Sequence, residues 1–282
     1  MSDGVAVLVR DLRKSYGELM AVDGIDLEIG SGEVFALLGP NGAGKTTTVE
    51  ILEGLRHRDG GTVAVLGQDP AHGGRAWRAR IGIVLQLTGT VGELTVLELV
   101  RHFASFYPRP RRAEETLELV GLTAKARSRI TQLSGGQIRR LDVALGIVGQ
   151  PELLFLDEPT TGFDPEARRQ FWDLIRRLRE HGTTIVLTTH YLDEAEALAD
   201  RIAVIAAGHI VASGDAASLG GRDAAAAHVS WDGQGERHLV ETTAPTQLVA
   251  ELSERFGGEV PGLTVTRPTL EDIYLELIGG AQ

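Results

Sequence analysis

The chain has 282 residues, 43% of them hydrophobic and 5% aromatic, which is enough for one large or two modest domains. No apolar run approaches the ~20 residues that a membrane-spanning helix needs, and the lack of cysteine, with a start that resembles no signal peptide, predicts a cytoplasmic protein. A net charge of -11 disfavours nucleic acid as a partner, because nucleic-acid binding usually leaves a basic surface.

The first predicted elements are β-strands. Apolar or alternating residues over 5–9, 25–29 and 62–66, separated by turn signals, are typical of strands in one antiparallel layer. Tyr16 is expected in the turn between the first two strands. Its ring could stack on a nucleotide base there, and a partly buried strand residue is the alternative.

Residues 35–47 are the most informative stretch of the chain. A short apolar strand meets the pattern G-x-x-x-x-G-K-[ST] and passes into a helix, which predicts a phosphate-binding loop. Backbone N–H groups of such a loop converge on phosphate oxygens, the Lys45 ammonium reaches the β and γ phosphates, and the Thr46 hydroxyl ligates Mg²⁺. A glycine-rich turn with a solvated lysine is the alternative. The predicted ATP-binding residues of this stretch are Gly39, Pro40, Asn41, Gly42, Ala43, Gly44, Lys45, Thr46 and Thr47.

The middle of the chain combines a strand with helices. A buried-type strand over 80–86 places Gln86 at a strand-to-loop exit, and apolar residues at spacing three to four over 94–107 predict a helix. The segment Leu133-Ser134-Gly135-Gly136-Gln137 precedes another helix. Ser134 and the two glycines predict a helix cap with free N–H groups at the positive helix end.

Two further predicted strands are followed by residues that could bind Mg²⁺ or take part in hydrolysis of the γ-phosphate. An apolar strand over 153–156 ends in Asp157 and Glu158, and ligands of α/β sheets bind at the carboxyl ends of the strands. Asp157 suits Mg²⁺ coordination, and Glu158 suits orienting or deprotonating the water that attacks the γ-phosphate. A strand over 183–189 ends at His190, which could contact the γ-phosphate. A solvated acidic turn and a structural histidine are the alternatives.

These motifs occur in the order found in ATP-binding-cassette ATPases, which the chain resembles from about residue 5 to 213. The pentapeptide 133–137 is identical to the signature of that family. The resemblance implies roles for Tyr16 as the adenine-stacking aromatic, for Gln86 as a contact of Mg²⁺ and water, and for the loop 161–164, including Asp164, as a link between two nucleotide sites. Phe163 departs from the usual leucine of that loop. The resemblance also implies a homodimer in which one copy covers the ATP of the other with Ser134, Gly135, Gly136 and Gln137.

The expected fold is α/β: a phosphate-loop NTPase cassette with a RecA-like parallel sheet core, an antiparallel β layer and an α-helical subdomain at about 88–149, followed by a small α+β C-terminal domain. The expected boundaries are 1–215 for the ATP-binding domain and 216–282 for the accessory domain. In the latter we predict strands at 228–231 and 263–265, a helix near 248–256 and a terminal helix capped by Thr269.

The C-terminal segment is similar to that of cassette ATPases of the daunorubicin-resistance exporter type. This resemblance implies an ATP-hydrolysing subunit, with ATP and Mg²⁺ as cofactors, that powers export of drug-like or lipophilic compounds through a separate membrane permease, at the cytoplasmic face of the membrane. It implies Glu158, His190 and Lys45 as catalytic residues and Thr46, Gln86 and Asp157 as metal contacts.

Two other classes fit the sequence less well. A soluble cassette ATPase acting on DNA or ribosomes is the main alternative, but the long coiled-coil insert or second cassette typical of such proteins is missing. A phosphate-loop GTPase or kinase would leave the signature unexplained, and the chain lacks the guanine-reading Asn-Lys-x-Asp pattern.

Overall fold

The computed structural model describes residues 4–84, 93–233 and 235–279, so the predicted contact Gln86 lies outside the described residues. The strands in chain order are β1 (Val5–Tyr16), β2 (Leu19–Gly30), β3 (Val34–Leu38), β4 (Gly60–Val65), β5 (Ile81–Val84), β6 (Leu153–Asp157), β7 (Thr184–Thr189), β8 (Arg201–Ala206), β9 (His209–Gly214), β10 (Ala227–Gly233), β11 (Glu236–Thr242) and β12 (Thr264–Thr266). The α-helices are α1 (Lys45–Leu52), α2 (Arg75–Arg78), α3 (Val96–Ala104), α4 (Ala113–Leu119), α5 (Gly135–Ile147), α6 (Pro165–Glu180), α7 (Leu192–Leu198), α8 (Pro245–Phe256) and α9 (Leu270–Gly279).

A three-stranded antiparallel sheet opens the structure. Its order is β2-β1-β4, which confirms the predicted antiparallel layer. The two first strands pair up to Tyr16 and Leu19. Tyr16 is therefore the last residue of β1 rather than part of the turn, because the ladder continues to the pair Tyr16 and Leu19.

A six-stranded sheet forms the centre of the protein. Its order is β5-β6-β7-β3-β8-β9, and all neighbours are parallel except β8 and β9, which form an antiparallel pair. Strands that are distant in sequence, such as β3 and β7, thus end side by side at one edge. The predicted α/β phosphate-loop fold is confirmed.

The central sheet separates two hydrophobic cores. Successive residues of a strand point to opposite faces, so Phe35 joins the core beneath the antiparallel sheet and α1, whereas Ala36 joins the core beneath α5, α6 and α7. Leu154 and Phe155 of β6 divide in the same way. Both faces of the sheet are buried, which explains why the sequences of these strands are continuous apolar runs.

The helical segment between β5 and β6 packs on the second core. Helix α3 begins with a complete capping box, in which Thr95 accepts from the backbone of Glu98 and the Glu98 carboxylate accepts from the backbone of Thr95. Leu99 and Val100 of α3 and Leu117 of α4 are buried in this core.

The C-terminal segment contains a small sheet of order β11-β10-β12 with α8 packed on it around Val229, Trp231 and Leu252. Helix α9 does not pack in this small core. Its residues Leu270 and Leu277 pack on the core of the central sheet instead. The apolar face of α9 thus packs against the central sheet rather than against β10.

No helix within the described parts of the chain is long and apolar enough to span a bilayer.

Candidate nucleotide site

The predicted phosphate loop joins the fully buried strand β3 to helix α1. Gly44 has φ +107°, and a Cβ atom there would lie 2.3 Å from the backbone oxygen of Ala21. A Cβ atom on Gly39 would lie 2.3 Å from the backbone oxygen of Ile205. Both positions therefore require glycine, one for its backbone angle and both for the close approach of neighbouring backbone.

Lys45 lies inside the curve of this loop. Its side chain is 6% exposed, and its Nζ donates to the backbone oxygens of Gly39 at 2.8 Å and Pro40 at 3.1 Å. Burial lowers the pKa of Lys45, and the negative charges of Glu158 and Asp157 oppose that shift. The structure thus brings the lysine and the two acidic residues into one site, although they lie more than a hundred positions apart.

Two residues outside the predicted site, Thr188 and Arg139, hold Asp157 in place. The Thr188 hydroxyl on the neighbouring strand donates to Asp157 Oδ1. Arg139 on α5 donates through Nη2 to the backbone oxygen of Asp157 at 2.7 Å and through Nε to that of Pro159 at 3.1 Å. The position of Thr188, a hydroxyl residue at the end of an apolar strand, could have indicated a site residue. The sequence around Arg139 does not indicate that this residue contacts Asp157.

Glu158 and His190 meet at the carboxyl end of the central sheet. The distance from His190 Nδ1 to Glu158 Oε1 is 3.0 Å, and the Thr161 hydroxyl donates to Glu158 Oε2 at 3.4 Å. Glu158 has φ +41°, a left-handed conformation that costs a non-glycine residue about 1 kcal/mol. Its backbone N–H donates to the Thr188 backbone oxygen at 3.1 Å, which holds this conformation in place. Strained backbone of this kind is concentrated at functional sites.

Tyr16 lies beside the start of helix α1. Its hydroxyl is 3.5 Å from Thr47 Oγ1, and the Arg56 guanidinium is 5.3 Å from its ring centroid. The ring is exposed, so an aromatic face is available next to the phosphate loop. Thr46 is exposed at the same helix start.

The signature segment caps helix α5, as predicted. Ser134 Oγ accepts from the backbone of Gln137, and Gln137 Oε1 accepts from the backbone N–H of Ser134 at 3.1 Å. Asp164 caps α6 by accepting from the backbone N–H of Ala167 at 2.8 Å. Both caps line one cleft of about 510 Å³, whose lining residues include neither Lys45 nor Glu158. Within the described chain, the signature and the phosphate loop therefore face different spaces.

Two of the predicted metal contacts, Thr46 and Asp157, carry the kind of oxygen atom that a hard cation binds. Thr46 offers a hydroxyl oxygen and Asp157 a carboxylate oxygen, and these are the oxygen ligands that Mg²⁺ prefers. The bond from Thr188 to Oδ1 leaves lone pairs on the Asp157 carboxylate that can accept a metal or its water.

Glu53, at the end of α1, is a buried acid whose environment predicts a pH effect. Burial, followed by the charges of Asp157 and Glu50, raises the pKa of Glu53 to about 8. The folded protein then keeps a proton that the unfolded chain releases above pH ~4.5, so stability falls as pH rises towards 8. We expect Glu53→Gln to raise the melting temperature at pH 8 by several degrees and to leave it nearly unchanged at pH 5.

The measurement is thermal unfolding without nucleotide at both pH values, with the exposed Glu180→Gln as the matched control. An equal change of melting temperature at pH 5 and pH 8 would contradict the prediction.

Comparisons with known proteins agree with this geometry. A family model described as ABC transporter matches residues 22–161. A daunorubicin resistance ATP-binding protein of Streptomyces coeruleorubidus is 38% identical, with 97% of this chain and 96% of that protein covered. A Nod factor export ATP-binding protein I of Burkholderia orbicola is 37% identical, with 96% of each chain covered.

Solved structures show the same fold. An ATP-binding cassette in a dimeric post-hydrolysis state bound to ADP and Pi matches with a TM-score of 0.67 and 27% identity over 74% of this chain and 98% of that one. An ATP-binding subunit of an ABC transporter matches with a TM-score of 0.71 over 96% of this chain and 99% of that one, at 23% identity. Together with the phosphate loop and its acidic partners, these matches show that the chain belongs to the ABC transporter family and is an ATP-binding subunit that hydrolyses ATP.

Proposed function

We propose that this chain powers export of drug-like or lipophilic compounds through a separate membrane permease. The observation that carries the proposal is that exporter subunits match it over nearly its whole length, and not only over the cassette. The division into an ATP-binding domain, 1–215, and an accessory segment, 216–282, belongs to this proposal. The chain would then work at the cytoplasmic face of the membrane.

In the proposed mechanism, the phosphate loop holds the ATP phosphates with its N–H groups, while the base stacks on Tyr16. Lys45 leaves the carbonyl groups of Gly39 and Pro40 for the β and γ phosphates, where its charge offsets the charge of the transferring group. Thr46, Asp157 and, by resemblance, Gln86 would hold Mg²⁺, which supplies further charge neutralisation at the phosphates.

Glu158 and His190 are proposed to act on the attacking water and the γ-phosphate. Glu158 orients the water or accepts its proton, and its hydrogen bonds from His190 and Thr161 fix the direction of its carboxylate. The His190 ring is positioned by Glu158 and by the Tyr191 ring, which lies against it at 4.1 Å between centroids with the planes tilted by 38°.

We propose that two copies build each ATP site jointly. The free N–H groups at the start of α5 form a second anion site, which would close over the γ-phosphate held by the partner copy through Ser134, Gly135, Gly136 and Gln137. The cleft shared by the signature and Asp164 supports this arrangement, since it places the inter-site loop against the signature.

The proposed permease contact lies between Gln86 and Tyr107, and the structure describes residues 93–107 of this stretch. Phe106 at its end is 54% exposed and meets the His102 ring at 5.1 Å between centroids, which leaves an aromatic patch on the helical segment. An exposed patch of this kind suits a protein partner.

Because the chain has no cysteine, a single Phe106→Cys variant gives a unique site for thiol labelling. We expect the permease encoded beside this chain, when coexpressed with it in membranes, to reduce the labelling rate of that cysteine at least about fivefold, because the docked surface excludes the reagent. Leu275→Cys is the matched control, since Leu275 is also 54% exposed but lies on α9. Equal labelling of Phe106→Cys with and without the permease would argue against docking at this surface.

A further inference from the structure

A buried carboxylic acid lies directly behind the residues proposed for catalysis. Glu194 on α7 is 0% exposed and follows His190 by four positions. The side chains of Thr189, Thr160 and Trp172 lie close to its carboxyl group, and the Arg168 charge lies nearby. Burial raises the pKa of Glu194, and these neighbours oppose the shift.

The hydrogen bonds of this cluster are incomplete. Both carboxyl oxygens of Glu194 are buried without a hydrogen-bond partner among the described residues, and so are Thr160 Oγ1 and Trp172 Nε1. Each poorly satisfied buried polar group costs roughly 1–3 kcal/mol. An apolar residue would fill this position at lower cost to stability, so fold stability alone does not account for the acid.

The groups around Glu194 come from separate segments that each carry a site residue. Thr160 follows Glu158 by two positions, and Thr189 immediately precedes His190. Trp172 lies on α6, the helix that Asp164 caps. The carboxyl group therefore stands where the segment 158–164, the segment 189–191 and α6 meet.

A second set of contacts surrounds the same junction. Arg168 on α6 donates to Asp193 at 2.8 Å, and its guanidinium lies 4.8 Å from the Tyr191 ring centroid. The Tyr191 ring in turn lies against His190. The contacts of Arg168 join α6 to the segment 189–191 and to Asp193. The Glu194 carboxyl group, in contrast, also lies near Thr160, in the segment that carries Glu158.

We propose that Glu194 is a positioning residue for ATP hydrolysis. Its carboxyl group holds the segments 158–164 and 189–191 in register, so that the Glu158 carboxylate and the His190 imidazole stay together at the γ-phosphate. The inference rests on the roles proposed above for Glu158 and His190. It does not involve Lys45 or Tyr16, whose proposed role is to hold the nucleotide.

The test compares Glu194→Ala and Glu194→Gln in the full-length chain by steady-state ATPase kinetics. Because a small misplacement of reacting groups can cost up to about 10²-fold in rate, we expect Glu194→Ala to lower kcat at least about tenfold while KM for ATP changes less than about threefold. Glu194→Gln has the same shape and can accept and donate hydrogen bonds, so it should keep at least about half of kcat.

Three controls separate positioning from loss of structure. Leu198→Ala opens a cavity on the same helix, where Leu198 is 7% exposed, and should lower the melting temperature with kcat unchanged at low temperature. Glu196→Gln changes an exposed acid of α7, paired with Arg222 at 2.8 Å, and should change neither quantity. Thr160→Val combined with Glu194→Ala should lower kcat by less than the product of the two single effects, because both changes cut the same link.

A native kcat in Glu194→Ala, or a fall in kcat that Leu198→Ala reproduces at equal loss of melting temperature, would overturn the inference. Glu158→Gln and His190→Ala are measured in parallel. If those two variants turn over ATP normally, the proposed site itself is wrong. If they lose turnover while Glu194→Ala does not, only the role of Glu194 is wrong.

Discussion

Replacing Lys45 with Ala is expected to lower kcat for ATP hydrolysis by at least about 10²-fold, because the ammonium that neutralises charge on the transferring phosphate is removed. The fold should persist. The lost side chain leaves two backbone carbonyl groups without this partner, at a cost of at most about 1–3 kcal/mol each. Steady-state ATPase activity and circular dichroism of the purified variant measure the two effects separately.

Lys125→Ala is the natural control, since the chain has only three lysines and Lys125 lies in the segment after α4, remote in sequence from the phosphate loop. Native turnover in folded Lys45→Ala protein would remove the proposed catalytic role of this lysine.

Mixing two inactive variants is expected to restore activity if two copies share each site. Lys45→Ala removes a phosphate contact, and Ser134→Arg puts a bulky cation at the capped start of α5. In a mixed dimer, one of the two ATP sites contains both substitutions. The other site contains an unchanged phosphate loop from one copy and an unchanged signature from the other. Random pairing of equal amounts should therefore recover about a quarter of native ATPase activity, since half of the dimers are mixed and each has one working site.

The main control is Thr95→Arg, which breaks the equivalent capping box of α3 outside the signature and should stay active by itself. Glu158→Gln should in addition accumulate a dimer with ATP and Mg²⁺, measured by light scattering, because the nucleotide still bridges the copies while the water lacks its base. If mixed dimers form and no activity returns, either the shared site or the independence of the two sites is refuted.

The parts of the site that rest on local signals could be predicted from the sequence. The glycine spacing of 39–44 reflects backbone angles and close approaches that the structure contains, at Gly44 and at Gly39. The Ser134 cap and the Thr269 cap depend on residues three positions away, and both have the expected bonds. The two caps are encoded by neighbours in the chain. The glycine pattern predicts the loop although the backbone that it approaches, at Ala21 and Ile205, is distant in sequence.

Some elements give no such signal. Strand β11 was not predicted, because it is an edge strand whose residues are almost all exposed and therefore show no alternation of apolar and polar residues. The return of α9 to the central core was also not predicted, since an apolar helix face does not indicate which core will cover it.

The sequence is enough to predict the phosphate loop, the buried strands that lead to Asp157 and His190, and the capped helix of the signature, because each depends mainly on residues within a few positions of one another. The tertiary structure alone decided that Glu158 meets His190 at 3.0 Å, that Arg139 holds the backbone of Asp157, and that the Glu194 carboxyl group lies between the segments of the site. These contacts depend on the strand order β5-β6-β7-β3-β8-β9 and on which helix covers which face. Both follow from packing among residues far apart in the chain, which no local pattern specifies.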